Sequence, residues 1–439
     1  MTLRIQHFWE SLRSTLWFVP AAMLLGSIAL AVALVRLDQT VGKVSDGLGI
    51  LYAGSADGAR EVLAVIAGSM VSAAAVTFSI TTVTLSVASQ QYGSRLLRNF
   101  MRDTGTQLVL GTFIGTFTYS LLVLRRVYGS DAATELVPHI SVTVGVGLAV
   151  LSLCVLIYYI HHVASSIQAG NVAHSVAVDL NRAIERMYPE KMGEPPPKPV
   201  RRLEEVLPAG FADESIPVTA EDTGYVQLID EDSLIRVAAE SGLIIVVQRR
   251  PGNFVAEGAC ILRGWPKERL TTECQKFLRA AITIGAETTP LQDVEHGFEQ
   301  LVQIAVRALS PAVNDPYTAS VCIDRIGAAL KRLAGRQIPS PYRSDENGKV
   351  RVVARGMDFP EVAATALNQI RQNSRANPKI KIRLLEAIRN ALEAVQREED
   401  RQSLFLHAAM IGEDTEQIAE QRDRRAVHQA MQDVLAKNG

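Results

Sequence analysis

Gly68, Ser72, Ala75, Ser79, Thr82, Ser86 and Ser89 recur at alternating intervals of four and three residues inside an apolar segment. On a helix of about 3.6 residues per turn they fall on one stripe. Such a stripe in a membrane helix has two uses. Small side chains let two backbones approach and let hydroxyls bond across helices, or repeated hydroxyls line a hydrated path. A second polar stripe, Thr77, Thr81 and Thr84, lies roughly opposite the first. A helix with polar groups on two faces belongs inside an assembly, away from lipid. Arg95, Arg98 and Arg102 follow at helical spacing and form a basic cluster at one end of it. Arranged around an axis they would favour anions; as juxtamembrane residues they bind lipid phosphates and set topology. His161 and His162 close the last apolar segment, where a titratable mouth is conceivable. Adjacent residues point in different directions on a helix, so the two do not make a metal pair.

In the polar half, His296, Arg307, Asn314 and Asp315 are the residues whose types would suit a ligand or a neighbouring subunit if the fold brought them together. The plainer reading of Asp315-Pro316 is a helix N-cap followed by proline at the first helical position. Nothing in this set fixes a nucleophile, a base or a metal ligand. No phosphate-cradling loop, zincin helix or kinase-like signature occurs. The expectation is a protein that is not an enzyme, with no catalytic residues, no metal and no cofactor.

These residues need elements to hold them, and the composition says which. Apolar residues make up 48% of the 439 positions although 21% are charged, so the apolar excess must be concentrated. It lies in the first 165 residues, as stretches near Leu16–Val35, Val62–Ala88, Leu108–Leu124 and Val137–Ile160. Each reaches roughly the 20 residues that a membrane crossing needs. No Lys or acidic residue sits in the middle of any of them, which removes the usual groups of an ion-coupled transporter. Gly111 and Gly115 in the third, and Gly145 and Gly147 in the fourth, favour close helix contacts. The net charge of −1 offers no basic face for nucleic acid. Cys154, Cys260, Cys274 and Cys322 are too scattered for a zinc site or a disulfide framework, which suits a reducing compartment. With four crossings both termini share a side. Arg4, Arg13, Arg95, Arg98 and Arg102 argue for the cytoplasm; Arg36, Lys43, Arg60, Arg125 and Arg126 in the opposite loops leave the Lys and Arg count even, and the scattered cysteines of the polar half carry the choice.

The fold class expected is an α-helical integral membrane domain of four transmembrane helices, followed by a mixed α+β, mostly helical cytoplasmic domain. In detail, 1–15 forms an interfacial helix and 16–165 the four-helix membrane domain. The stretch 166–200 extends the fourth helix to Ile184 and ends in a Pro-rich linker at Pro195-Pro196-Pro197. A small β-rich subdomain occupies 201–265, with strand patterns at Tyr225–Ile229, Leu243–Val247 and Phe254–Leu262 around the Pro251-Gly252 turn signal. The remainder, 266–439, reads as helices, among them Glu268–Ile284, Leu291–Leu309, Tyr317–Leu333 and Pro360–Gln372.

Two stretches, Phe78-Ser79-Ile80-Thr81 through Ser94-Arg95-Leu96-Leu97-Arg98-Asn99-Phe100-Met101-Arg102-Asp103, and Arg307-Ala308-Leu309-Ser310-Pro311-Ala312-Val313-Asn314-Asp315-Pro316, resemble a family of bacterial membrane proteins known only as a domain of unknown function. The resemblance implies four crossings and a cytoplasmic domain, and implies no activity. The residues then point to a homo-oligomer of the bacterial inner membrane with a channel-like path, slightly favouring anions and regulated by its cytoplasmic domain. Its expected partners are the lipid bilayer, copies of itself, and ions or a small ligand. A membrane-anchored scaffold or sensor without conduction is the alternative.

Overall fold

A computed structural model describes residues 15–41, 52, 54–92, 100–101, 103–127, 137–188, 206–374 and 376–436. The expected interfacial helix at 1–15, the Pro-rich linker and the arginines Arg95, Arg98 and Arg102 lie outside these residues, save Thr15. The chain divides into two units, the first ending at Asn171 and the second beginning at Val172.

Among the described residues, the first unit holds four helices long and apolar enough to cross a membrane. They are α1 (Phe18–Val41), α2 (Ala56–Tyr92), α3 (Thr104–Leu124) and α4 (His139–Ser166). Helix α3 packs against the other three and is the most enclosed of the set. Its glycines explain how closely its neighbours come. A Cβ on Gly111 would lie 2.4 Å from the Met23 sulfur of α1, and one on Gly115 would touch Ser27 and the Met23 carbonyl. Gly145 of α4 meets Leu63 and Tyr119, whereas Gly147 has nothing within 4 Å, so it thins the helix without serving a contact.

Both ends of this unit are fastened by carboxylates. Asp38, near the end of α1, accepts from the Ile140 and Ser141 amides at 2.9 and 3.0 Å and from the Ser141 hydroxyl at 2.6 Å. It thereby satisfies amides that α4 leaves free at its start. Asp103 caps α3 through the Gly105 and Thr106 amides at 3.1 and 3.3 Å and the Thr106 hydroxyl at 2.7 Å. Between the ends, buried hydroxyls pair across helices. Thr116 faces Ser152 at 3.2 Å, and the Tyr159 hydroxyl lies 2.9 Å from both the Thr81 hydroxyl and the Thr77 carbonyl oxygen.

The helical periodicity that runs through 160–184 is not one helix. Helix α4 stops at Ser166, Ile167 closes it, and α5 (Ala169–Met187) starts anew. The Asn171 side chain donates to the Ser165 carbonyl, and the Tyr92 hydroxyl to that of Ile167, so side chains replace helical amides at the break.

In the second unit, a short helix α6 (Phe211–Glu214) leads into β1 (Ile216–Thr219) and β2 (Gly224–Ile229). There follow α7 (Glu231–Glu240), β3 (Ile244–Val247), β4 (Phe254–Val255), β5 (Cys260–Trp265), α8 (Thr272–Ala280) and β6 (Ile282–Gly285). The rest is α9 (Val294–Ala308), α10 (Pro316–Ala334), β7 (Tyr342–Ser344), β8 (Val350–Val353), α11 (Phe359–Asn373), α12 (Pro378–Leu392), α13 (Glu398–Glu413) and α14 (Gln421–Leu435). The strands make a five-stranded sheet in the order β1-β5-β3-β8-β7 and a three-stranded sheet β4-β2-β6. Among the described residues only β3 and β8 pair in parallel; the other pairs are antiparallel. One apolar core, including Val226, Leu234, Ile245, Leu262, Leu278 and Val352, serves both sheets and the helices α7 and α8.

Two expectations are corrected here. The helix read across Glu268–Ile284 ends at Ala280, and Ile282–Gly285 is a strand. The Ile-Thr-Ile sequence is stiff at χ1 and fits a pleat, and β2 supplies the ladder through Ile229–Ile282 and Val226–Ile284. The sheets also draw on Tyr342–Ser344 and Val350–Val353, far beyond the β-rich stretch seen in the sequence.

Candidate functional site

Helix α2 is 37 residues long, about 55 Å at 1.5 Å per residue, well beyond a hydrocarbon core of about 30 Å. One face is spent on its own bundle: Ala59, Leu63, Ile66, Met70, Thr77, Thr81, Ala88 and Tyr92 are buried. Thr77 and Thr81 join the Tyr159 network, and Thr84 is half-buried beside them. At 100° per residue the small-residue stripe lies diametrically opposite this face. Gly68, Ser72, Ala75, Ser79, Thr82 and Ser86 are all exposed, and Ser89 is half-buried. From Gly68 to Ser89 the stripe runs about 31 Å, the thickness of the hydrocarbon layer.

Large apolar side chains border it. Val65, Val76 and Val83 stand on one side and Val71 and Phe78 on the other, 46–63% exposed. The stripe is therefore a shallow groove between two apolar ridges. A Cβ on Gly68 would meet nothing within 4 Å. Two of the hydroxyls are bonded within the helix: Ser72 donates to the Gly68 carbonyl at 3.0 Å and Thr82 to that of Phe78 at 3.0 Å. At Ser72 and Thr82 the groove thus presents hydroxyl oxygens with lone pairs outward while the protons are held by the helix.

At the end of α4, His161 is exposed, and His162 is half-buried with Nε2 2.7 Å from the Asp103 carboxylate. The Tyr158 ring stacks on the His162 ring at 5.3 Å between centroids. Gly105 must lack a side chain here, because a Cβ would lie 2.6 Å from His162 Nε2. His162 therefore completes the cap of α3. Asp103 carries that cap and is not among the site residues expected from the sequence, although Asp103 followed by Thr104, Gly105 and Thr106 is an N-cap pattern.

In the second unit, Asp315 caps α10 through the Tyr317 and Thr318 amides, each at 3.1 Å, and the Thr318 hydroxyl at 2.5 Å. The Thr318 hydroxyl, ahead of the amides, holds its carboxyl below the usual carboxylate range. Asn314 takes a left-handed φ of 46° so that the loop can turn back, and the Asp315 amide reaches the Ala308 carbonyl at 2.8 Å. Arg307 is exposed on the last turn of α9. These three are neighbours, but His296 does not join them. It is buried on the first turn of α9 with Nδ1 2.8 Å from the Thr288 hydroxyl, about 16 Å from Arg307 along the helix.

Several charged residues of the second unit are buried, among them Lys381, Asp293 and Asp400. Lys381 is wholly buried and its Nζ donates to Asp414 at 2.9 Å. Asp293 caps α9 through the His296 amide at 3.2 Å, and burial, above all else, pushes its carboxyl up to about 7. Among the described residues no group of His, Cys, Asp and Glu is arranged to hold a metal ion.

Comparison with known proteins fits this architecture. Residues 13–390 match a family described as "Predicted membrane protein (DUF2254)". The chain belongs to this family. Uncharacterized proteins of Mycobacterium bovis and Mycobacterium tuberculosis are each 31% identical to it over 395 residues, covering 88% of this chain and 74% of theirs. No solved structure matches. As a member of the family it is a membrane protein of unknown function whose four apolar helices are α1 to α4.

Proposed function

We propose that the chain is a non-enzymatic, multi-pass protein of the bacterial inner membrane that assembles with copies of itself. In this reading both termini lie in the cytoplasm, and the groove of α2 lines a channel-like path at the axis of the assembly. The outward position of the groove carries the reading. Its hydroxyl oxygens, from Ser72 to Ser89, extend over about 25 Å of the roughly 30 Å hydrocarbon layer on the face its own bundle leaves unused, and lipid tails offer such groups no partner. Copies brought together along this face would give the groove either helix contacts or water. The cluster Arg95, Arg98 and Arg102 just beyond gives the cytoplasmic mouth a preference for anions, and the second unit regulates passage.

A second reading has an observation of its own. Ser72 and Thr82 already donate to their own helix, as side chains do in a dry helix contact. The protein would then be an anchored scaffold or sensor whose cytoplasmic unit binds a partner or small ligand, with the groove serving only to hold copies together.

Planar-bilayer recordings on the purified full chain separate the two. The channel reading expects current, a loss of anion preference in Arg95→Gln and Arg98→Gln, and altered conductance when Ser72, Ser79 and Ser86 are all replaced by Ala. An intact assembly that passes no current under any voltage or salt gradient sinks it in favour of the scaffold.

A further inference from the structure

The helix break after α4 lies where the chain passes from one unit to the other. Helix α4 ends at Ser166, α5 begins at Ala169, and the first unit ends at Asn171. Across the break the amides reach three residues back instead of four. Gln168 donates to the Ser165 carbonyl at 3.3 Å, and Asn171 to that of Gln168 at 2.9 Å. Gln168, Gly170 and Asn171 are exposed, and a Cβ on Gly170 would meet nothing within 4 Å. A few element-terminal residues with room to change φ and ψ, set between two compact units, are what a hinge requires.

Two side chains hold this joint. The Asn171 side-chain amide donates to the Ser165 carbonyl at 2.8 Å, which ties the start of α5 back to the end of α4. The Tyr92 hydroxyl donates to the Ile167 carbonyl at 2.7 Å from the last residue of α2. Ile167 stands between the two helices, so this bond joins α2 to the joint itself. Five residues earlier on α4, His162 Nε2 lies 2.7 Å from Asp103, which fastens α3 to the same end of α4.

Tyr92 ends the helix that carries the groove, and Arg95 follows three residues later in the chain. The nearest printed tie towards the membrane centre on that side of α2 is Thr81, 2.9 Å from the Tyr159 hydroxyl. It lies eleven residues before Tyr92, about 16 Å along the helix. Over 82–92 only Ala88 and Tyr92 are buried. The last three turns of α2 are thus held through these two residues, and only Tyr92 of the pair offers a hydrogen-bonding side chain.

We propose that Tyr92 is a positioning residue that couples the joint to α2. A swing of α5 displaces the Ile167 carbonyl, and the Tyr92 hydroxyl carries that displacement to the end of α2 and the Arg95, Arg98 and Arg102 cluster beyond it. The coupling needs only the bonds at the joint; its use in controlling passage rests on the channel reading. A Tyr92 that did no more than satisfy a carbonyl left free at a helix end would leave α2 unchanged when the start of α5 is disturbed.

Hydrogen exchange on the full chain in lipid nanodiscs, followed by mass spectrometry, tests the coupling without reading current or assembly. Asn171→Ala removes the tie between α5 and α4 and leaves Tyr92 in place. Exchange is expected to quicken about fivefold at 165–172, the worth of one hydrogen bond, and to quicken at 86–92 as well. In Tyr92→Phe, which keeps the buried ring and loses the donor, Asn171→Ala should still quicken 165–172 but no longer move 86–92, the non-additivity that marks coupled sites. Gly170→Ala disturbs the joint in the opposite sense, because the methyl has room and restricts the chain. Both segments should then slow, and 86–92 should not respond in the Tyr92→Phe background. An 86–92 segment that both substitutions leave unmoved, or one whose response persists undiminished in Tyr92→Phe, overturns the proposal. Coupling found in a chain that passes no current upholds Tyr92 and removes only the channel reading.

Discussion

Asp315 and Arg307 sit a few residues apart in the same family-like stretch, yet the structure gives them different work. Asp315 satisfies two amides and a hydroxyl at the start of the 19-residue α10, while Arg307 is exposed on the last turn of α9. Asp315→Ala is expected to destabilise the second unit by about 1 kcal/mol, the usual value of an N-cap. Arg307→Ala should stay within about 0.5 kcal/mol. Chemical denaturation of both variants measures the difference. Because the Thr318 hydroxyl lowers the Asp315 carboxyl, its contribution is present above the ordinary aspartate pKa and fades on acidification below it. The stability gap between Asp315→Ala and the natural chain should therefore narrow at low pH. The cap itself was legible as Asp-Pro before a helical run, since it depends on local chain geometry. The separation of His296 from Arg307 was equally open to a count of helical turns. The burial of Asp293 was not: it depends on the Gly252 turn, 41 positions away in sequence.

Elements show the same division between local and distant causes. Helices α9, α10 and α11 fall within a few residues of the stretches their periodicity marks, because an amphipathic stripe and caps are written locally. The strand β6 is lost to a helical reading because its ladder comes from β2, some fifty residues earlier. The break between α4 and α5 escaped too, since apolar periodicity continues across Ile167 and Gln168 and side chains of Tyr92 and Asn171 stabilise the gap. The closeness of α10 to α12 is a further distant effect with a measurable consequence. A Cβ at Gly327 would lie 2.8 Å from the Ala387 Cβ and 3.1 Å from its Cα, so the obstacle includes backbone. Although Ala is the better helix former, Gly327→Ala should lower stability by about 1–3 kcal/mol through overpacking. A thermal melt no lower than that of the natural chain would mean that α10 and α12 can separate at little cost.

For the molecule as a whole, the arrangement to be tested is the one on α2, where two polar stripes with similar compositions have opposite surroundings. Thr81 is buried and its hydroxyl lies 2.9 Å from that of Tyr159, while Ser79, two residues earlier, is exposed on the unused face. The consequences of substitution should separate accordingly. Thr81→Val keeps the shape and removes a buried hydroxyl pair, costing the isolated protomer about 0.5–1.5 kcal/mol and leaving the outward face as it was. Ser79→Leu fills the groove between the Val76–Val83 ridge and Phe78 without touching the protomer core, so the fold should shift by less than about 0.5 kcal/mol. If copies meet along the groove, the added side chain keeps their backbones apart, because close approach there requires small residues. Thermal melts of each variant, read beside cross-linking in native lipid, give both quantities. The expected pattern is a lowered melt with normal cross-links for Thr81→Val, and a normal melt with lost cross-links for Ser79→Leu. Cross-links that survive in Ser79→Leu at full yield would remove the groove from the assembly, and the channel-like path along α2 with it.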